Sequence, residues 1–157
     1  MTELRVGIVG NAADKFTPRG REYAIQVIYD IIDDAMYRGL VPVIVSGDCH
    51  LGGVDIWARE IAVMKDLKLE AFPARVHKWD GAGGYKERNI MIAKTSDIVH
   101  CIVTRTYPKE YSGMKFKWCY HHKPPRDDHV KSGGCWTMKE AKRRGKEISL
   151  IIVDNGE

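Results

Sequence analysis

Hydrophobic residues along this chain follow two rhythms, short unbroken runs and longer stretches spaced by three and four, and the two alternate from one end to the other. Leu4 to Val9 is an unbroken run that ends at Gly10 and reads as a buried strand. Thr17-Pro18 then supplies an N-cap and a first-turn proline. After it Tyr23, Ala24, Val27, Ile28, Ile31, Ile32, Ala35 and Met36 repeat at helical spacing until Gly39 stops them. Val41 to Val45 is the next strand, tolerating Pro42 because it stands near the start. Val54, Trp57, Ala58, Ile61, Ala62 and Met64 mark a second helix, Leu69 to Phe72 a third strand closed by Pro73, and Ile90, Met91 and Ala93 a third helix. Ile98 to Val103 is the fourth strand. Thr137 to Arg144 forms the last helix, with Gly145 just past its end, and Ile148 to Val153 the closing strand.

Strands alternating with helices predict right-handed crossovers and an α/β fold: three layers, with a mostly parallel sheet of about five strands covered on both faces. In such sheets ligands bind beyond the carboxyl ends of the strands, where the strand order reverses. Three glycine-rich turns fall in the loops that reach this edge. They are Ser46-Gly47-Asp48-Cys49-His50-Leu51-Gly52-Gly53, Gly81-Ala82-Gly83-Gly84 and Ser132-Gly133-Gly134, each opening a helix. Glycine lets backbone N–H groups approach an anion, and a helix N-terminus adds a favourable field. Three such turns in one short chain predict a site for a small anionic molecule, built from several loops.

The stretch from Thr104 to Lys131 fits neither rhythm. It is 28 residues long and reads as an insertion within a single domain covering residues 1–157. It also holds the whole charge excess, with seven basic residues against three acidic ones in a chain of net charge +4. Two readings stand for it: a solvated loop, or a local attraction for an anionic ligand or nucleic acid. A chain of 157 residues can bury a sufficient core without disulfides. Met1 to Arg5 runs straight into a strand, and no apolar run approaches the roughly 20 residues that span a bilayer, so a cytoplasmic protein without membrane attachment is expected. Its four cysteines then read as thiols or metal ligands.

Cys119, His122, His129 and Cys135 lie within 17 positions. Two thiols and two imidazoles can hold Zn²⁺ tetrahedrally, which would order an irregular segment that lacks a core of its own. Free thiols and solvated histidines are the other reading. Asp55 either fixes the turn after Gly53 or touches the ligand. Asn11, Asp14 and Lys15 follow the first strand as an ordinary polar loop or as ligand contacts. Trp57 reads as core, His50 as a polar residue of the pocket and His100 as a hydrogen-bonded histidine within the sheet.

Three motifs together resemble the SLOG superfamily, the Rossmann-like group of SMF/DprA, LOG and YspA-like proteins. Gly133-Gly134-Cys135-Trp136-Thr137-Met138-Lys139-Glu140 keeps the spacing of the LOG signature Gly-Gly-x-Gly-Thr-x-x-Glu, with Trp136 in place of the third glycine. Tyr85-Lys86-Glu87-Arg88-Asn89 is similar to the arginine-bearing helix start of the SMF/YspA branch. Ser46-Gly47 with Gly53-Val54-Asp55-x-x-Ala58 resembles that branch's Ser-Gly-Gly turn. The resemblance implies a nucleotide or nucleotide-derived ligand held by Gly10, Asn11, Ser46, Gly47, Gly53, Asp55, Arg88, Asn89, Ser132, Gly133, Gly134 and Thr137. It also implies a homodimer. Were the chain a LOG-like phosphoribohydrolase, Arg88 and Glu140 would be the catalytic pair, although the Trp136 ring then closes or reshapes the pocket. Single-stranded nucleic acid is a further alternative, with Tyr107, Tyr111, Phe116, Trp118 and Tyr120 as stacking faces. A sensor or carrier without turnover is the favoured reading.

Overall fold

Five strands and four helices alternate in the computed structural model, which describes residues 2–157. The order is β1 (Glu3–Gly10), α1 (Pro18–Tyr37), β2 (Val41–Ser46), α2 (Val54–Met64), β3 (Lys68–Ala71), α3 (Tyr85–Thr95), β4 (Ile98–Thr104), α4 (Gly133–Arg143) and β5 (Glu147–Val153). A single 3₁₀ turn, Ala13–Lys15, stands between β1 and α1. All strand pairs are parallel and the sheet order is β3-β2-β1-β4-β5. The chain therefore winds outward from β1 in one direction, returns to pair β4 with β1, and winds outward in the other.

The period of two within each strand splits the core into two. Val6 and Ile8 of β1, Ile44 of β2 and Ile102 of β4 face α1 and α2, where they meet Ala24, Ile28, Ile32, Trp57, Ala58 and Ile61. Val9, Val45, Val99, Cys101 and Val103 face α3 and α4, against Ile92, Ala93, Met138 and Ala141. Both faces are thus sealed, as the alternation of elements requires. Trp57 is core, its ring meeting Phe16 edge-on at 4.9 Å. No helix among the described residues is long and apolar enough to cross a membrane.

Local signals account for the helix ends. The Thr17 hydroxyl accepts the Gly20 N–H and Pro18 opens α1, while Gly39 leaves it at φ 79°. The sequence misplaces one boundary. It starts the last helix at Thr137, whereas α4 begins at Gly133, because the Ser132 hydroxyl caps it by accepting the Gly134 N–H at 3.0 Å. The two glycines are the first turn of the helix, not a loop ahead of it.

Residues 105–132 carry no named strand or helix, yet they are anchored. The Val130 N–H donates to the Thr104 carbonyl at 2.8 Å, so the segment leaves and rejoins the body at one place. Cys119 and Val130 are buried, and Cys119 pairs with Arg126 in an isolated antiparallel bridge.

Candidate functional site

The return of the chain to β4 opens a crevice beyond Gly10 and Thr104, and a cavity of about 820 Å³ lies there. It can approach the sheet so closely because of two glycines. A side chain on Gly10 would collide with the Ile102 carbonyl oxygen, and one on Gly134 would stand 2.9 Å from the Gly10 nitrogen and 3.0 Å from the Cys101 sulfur. The first turn of α4 thus rests directly on the end of β1. Gly133 differs, since a side chain there would meet nothing within 4 Å.

Of the residues singled out in the sequence, Gly10, Asn11, Asp55, Arg88, Asn89, Ser132, Gly133, Gly134 and Thr137 line this cavity. Ser46, Gly47 and Gly53 support its wall. The Ser46 hydroxyl donates to the Asp55 carbonyl at 2.9 Å and accepts the Asp48 N–H at 3.1 Å, while Gly47 offers its carbonyl to Arg88 Nη1 at 2.5 Å. Gly53, at φ 84°, lies against the backbone of Ala12 and Ala13, where no side chain fits. Asn11 lines the cavity with a side chain already committed. Its Oδ1 accepts the Thr104 N–H at 2.9 Å, and its Nδ2 donates to the Lys131 carbonyl at 3.1 Å, so it staples both ends of the 105–132 segment to β1.

Glu140 is not among the lining residues. Its carboxylate accepts from Arg143 and, at 3.1 Å, from Arg144, and these guanidinium groups hold it below the usual carboxylate range. The spacing i, i+3 and i, i+4 on one helix already contains that partnership. His50 is exposed and stacks on His77 with ring centroids 3.7 Å apart; Cys49, its neighbour, lines the cavity. His100 is not the satisfied sheet histidine that its strand position suggests, since its buried Nδ1 has no partner, and burial lowers its pKa to about 4.

Four of the five aromatics that the sequence offers as stacking faces for nucleic acid form the roof of this cavity instead, and Trp118 does not line it. Tyr107, Tyr111, Phe116 and Tyr120 of the irregular segment line the cavity, with Trp79 and Trp136 meeting edge-on at 5.0 Å. Lys15 lies 4.9 Å from the centre of the Tyr111 ring and Lys131 4.3 Å from that of Phe116, so two ammonium groups are held on aromatic faces at the cavity rim. Aromatic residues without periodicity give no sign of which way they face.

Asp55 is the one carboxylate among the lining residues, and it is buried. Burial pushes its pKa up to about 6, against the pull of Arg88 and of the Cys49 N–H. Because the folded-state value exceeds the model-peptide one, its contribution favours folding fully below about pH 4 and is lost as pH rises through 6. The stability of the unaltered protein relative to Asp55→Asn is therefore expected to fall by on the order of 2–3 kcal/mol between pH 4 and pH 7. Urea unfolding of both chains at four pH values measures this, and a flat difference would refute the assignment.

A second constellation lies beneath the roof. One ligand atom from each of Cys119, His122, His129 and Cys135 falls within 4.8 Å of the others. Cys135 Sγ is 3.5 Å from His129 Nε2, and His129 Nδ1 is 2.8 Å from an Asp128 oxygen, the carboxylate-histidine arrangement that orients a metal-binding imidazole. Arg126 holds Asp128 with two hydrogen bonds from one guanidinium edge, Nε to Oδ1 and Nη2 to Oδ2. His122 Nε2 is buried without a partner, and the Cys119 thiol is pushed up to about 12 by its hydrogen bond to Cys135 and by burial. Two thiols, which would give up their protons to a metal, and an orphaned imidazole nitrogen converge in a donor set that a cation such as Zn²⁺ would satisfy, and this buried cluster could bind one.

No protein-family model matches the chain, and none of the curated proteins matches it. Of the resemblance drawn from the glycine turns, the structure establishes a Rossmann-like α/β fold with five parallel strands.

Proposed function

We propose that this protein binds a nucleotide or nucleotide-derived ligand in the cavity at the carboxyl edge of its sheet, as a sensor or carrier of the SLOG type. The observation that carries the reading is the make-up of that cavity. A glycine-opened helix N-terminus and the cations Lys15 and Lys131 suit phosphate, and the aromatic roof suits a base. The phosphate lies against the open Gly133 end of α4, since the Ser132 hydroxyl already holds the Gly134 N–H. Glu140, held by two arginines away from the cavity lining, supports binding without turnover rather than phosphoribohydrolase chemistry. The roof aromatics line a single cavity of about 820 Å³, a size that favours a small ligand over a nucleic-acid strand. Zn²⁺ at Cys119, His122, His129 and Cys135 keeps the roof in place.

Thermal unfolding against nucleoside mono- and diphosphates, nucleotide sugars and ADP-ribose tests the reading. A ligand at 100 times its Kd should add about 2.7 kcal/mol. No shift with any of them at millimolar concentration would remove it. Gly133→Ala sharpens the test: the substitution is expected to leave stability unchanged or raise it by about 0.5–1 kcal/mol, as alanine does within a helix, and to weaken ligand binding by crowding the phosphate. Retained affinity in that variant would place the phosphate elsewhere.

The protein is proposed to act as a homodimer, with Met36 and Tyr37 at the end of α1 and Val63 and Met64 at the end of α2 as exposed apolar candidates for the contact. Light scattering at high micromolar concentration should give twice the 17.8 kDa chain mass. A monomer there would end that part of the proposal.

A further inference from the structure

Arg88 and Asp55 stand on either side of Gly47. A side chain on that glycine would lie 2.6 Å from Arg88 Nη1 and 2.8 Å from Asp55 Oδ2, yet the guanidinium and the carboxylate make no direct ion pair among the described residues. Each is held by other groups. Arg88 Nη1 donates to the Gly47 carbonyl, Arg88 Nε donates to Asn89 Oδ1 at 2.8 Å, and the guanidinium lies 5.5 Å from the centre of the Tyr85 ring. Asp55 sits in the first turn of α2, its side chain buried beside Gly47. Both line the cavity, so a fixed donor and a fixed acceptor stand side by side in its wall.

The chemistry of that pair limits what it can receive. A phosphate on Arg88 would bring an anion against a buried carboxylate, and an ammonium on Asp55 would bring a cation against a guanidinium. A neutral group that donates to one and accepts from the other meets neither penalty. The phosphate and the base of a nucleotide are already served by the α4 end with the lysines and by the aromatic roof. What remains is the sugar, whose neighbouring hydroxyls are each donor and acceptor.

Resting on the nucleotide reading above, we propose that Asp55 and Arg88 form a ribose subsite. One hydroxyl of the 2′,3′-diol donates to the Asp55 carboxylate, the other accepts from Arg88, and the ligand class is therefore ribonucleotide rather than deoxyribonucleotide. Asp55 is then the residue that sets sugar specificity, although neither it nor Arg88 reacts.

Titration calorimetry of the full-length protein provides the test, with the four common ribonucleoside 5′-monophosphates, their 2′-deoxy and 2′,3′-dideoxy forms, ribose 5-phosphate and 2-deoxyribose 5-phosphate. A hydroxyl bonded to a charged group is expected to count for about 10- to 100-fold, so each 2′-deoxy form should bind weaker by that factor. In Asp55→Asn, which keeps the shape of the side chain, the preference should shrink to about 3-fold or less while the deoxy forms bind as before. Equal affinity for ribo and deoxy forms in the unaltered protein would overturn the subsite and leave the nucleotide reading intact. So would a preference in Asp55→Asn that changes with the base rather than the sugar, because Asp55 would then be reading a base edge. Ribose 5-phosphate binding without any nucleotide, and better than its deoxy form, would keep the subsite and overturn the nucleotide reading. Binding of none of the probes would overturn both.

Discussion

A Cys119→Ser chain is expected to contain no metal when the unaltered chain, purified without chelator or a metal-affinity tag, contains close to one zinc per molecule by elemental analysis. Serine keeps the size of the side chain but is a poor partner for zinc, and of the remaining donors His122 and His129 belong to a segment with no helix or strand of its own, which leaves Cys135 alone on a helix. A metal present at about 1,000 times its Kd adds about 4 kcal/mol to folding, which for a domain of this size corresponds to a fall in Tm of roughly 8–16 °C when it is lost. Limited proteolysis with trypsin should cut the variant at Lys115, Lys117 or Arg126 under conditions that spare the unaltered protein. Cys49→Ser, outside the cluster, should change neither readout. Zinc missing from the unaltered protein would dispose of the metal and leave the segment ordered by packing alone.

Gly10→Ala should be the most damaging small substitution in the sheet, costing about 3 kcal/mol or more in urea unfolding. The added methyl meets the Ile102 carbonyl, which belongs to the β1–β4 pairing, and Val54 Cγ2 at 2.9 Å on the other side. Backbone cannot swing away as a side-chain tip can, so the strain of overpacking is relieved only by opening the two central strands. The same shift lifts α4 from the end of β1, and ligand affinity should fall with stability. A loss below about 1 kcal/mol would mean that the central strands yield far more easily than their pairing indicates.

Much of this molecule is written plainly in its sequence, and the reason differs from part to part. The strands and helices are legible because a fully covered sheet needs unbroken apolar runs and amphipathic crossovers, and both rhythms are strong from Leu4 to Ile98. The start of α4 is not, because paired glycines favour turns and only the Ser132 cap reverses that preference. Cys119, His122, His129 and Cys135 are legible as a chemical set, while their convergence is decided by the packing of the 105–132 segment. Asn11 is visible as a polar residue at the right loop, but its commitment to Thr104 and Lys131 depends on contacts about a hundred residues away in the chain. Glu140 shows the opposite fault. A motif spacing draws attention to it, while the arginines three and four positions on, which take up its charge, are ordinary helical neighbours.

The place where Thr104 and Val130 meet has a consequence for how such a protein can change. A stretch whose two ends are hydrogen-bonded to each other, and both stapled by Asn11, is a closed cassette hung from a finished sheet. Doubling the length of such a loop costs only about 0.6 kcal/mol of closure entropy. The sheet, the glycine contacts and the Arg88–Asp55 wall could therefore accept a shorter, longer or metal-free cassette with little penalty to folding. What would change is the roof, and with it, on the proposed nucleotide reading, the base that the cavity accepts, so the choice of ligand would be heritable separately from the fold that presents it.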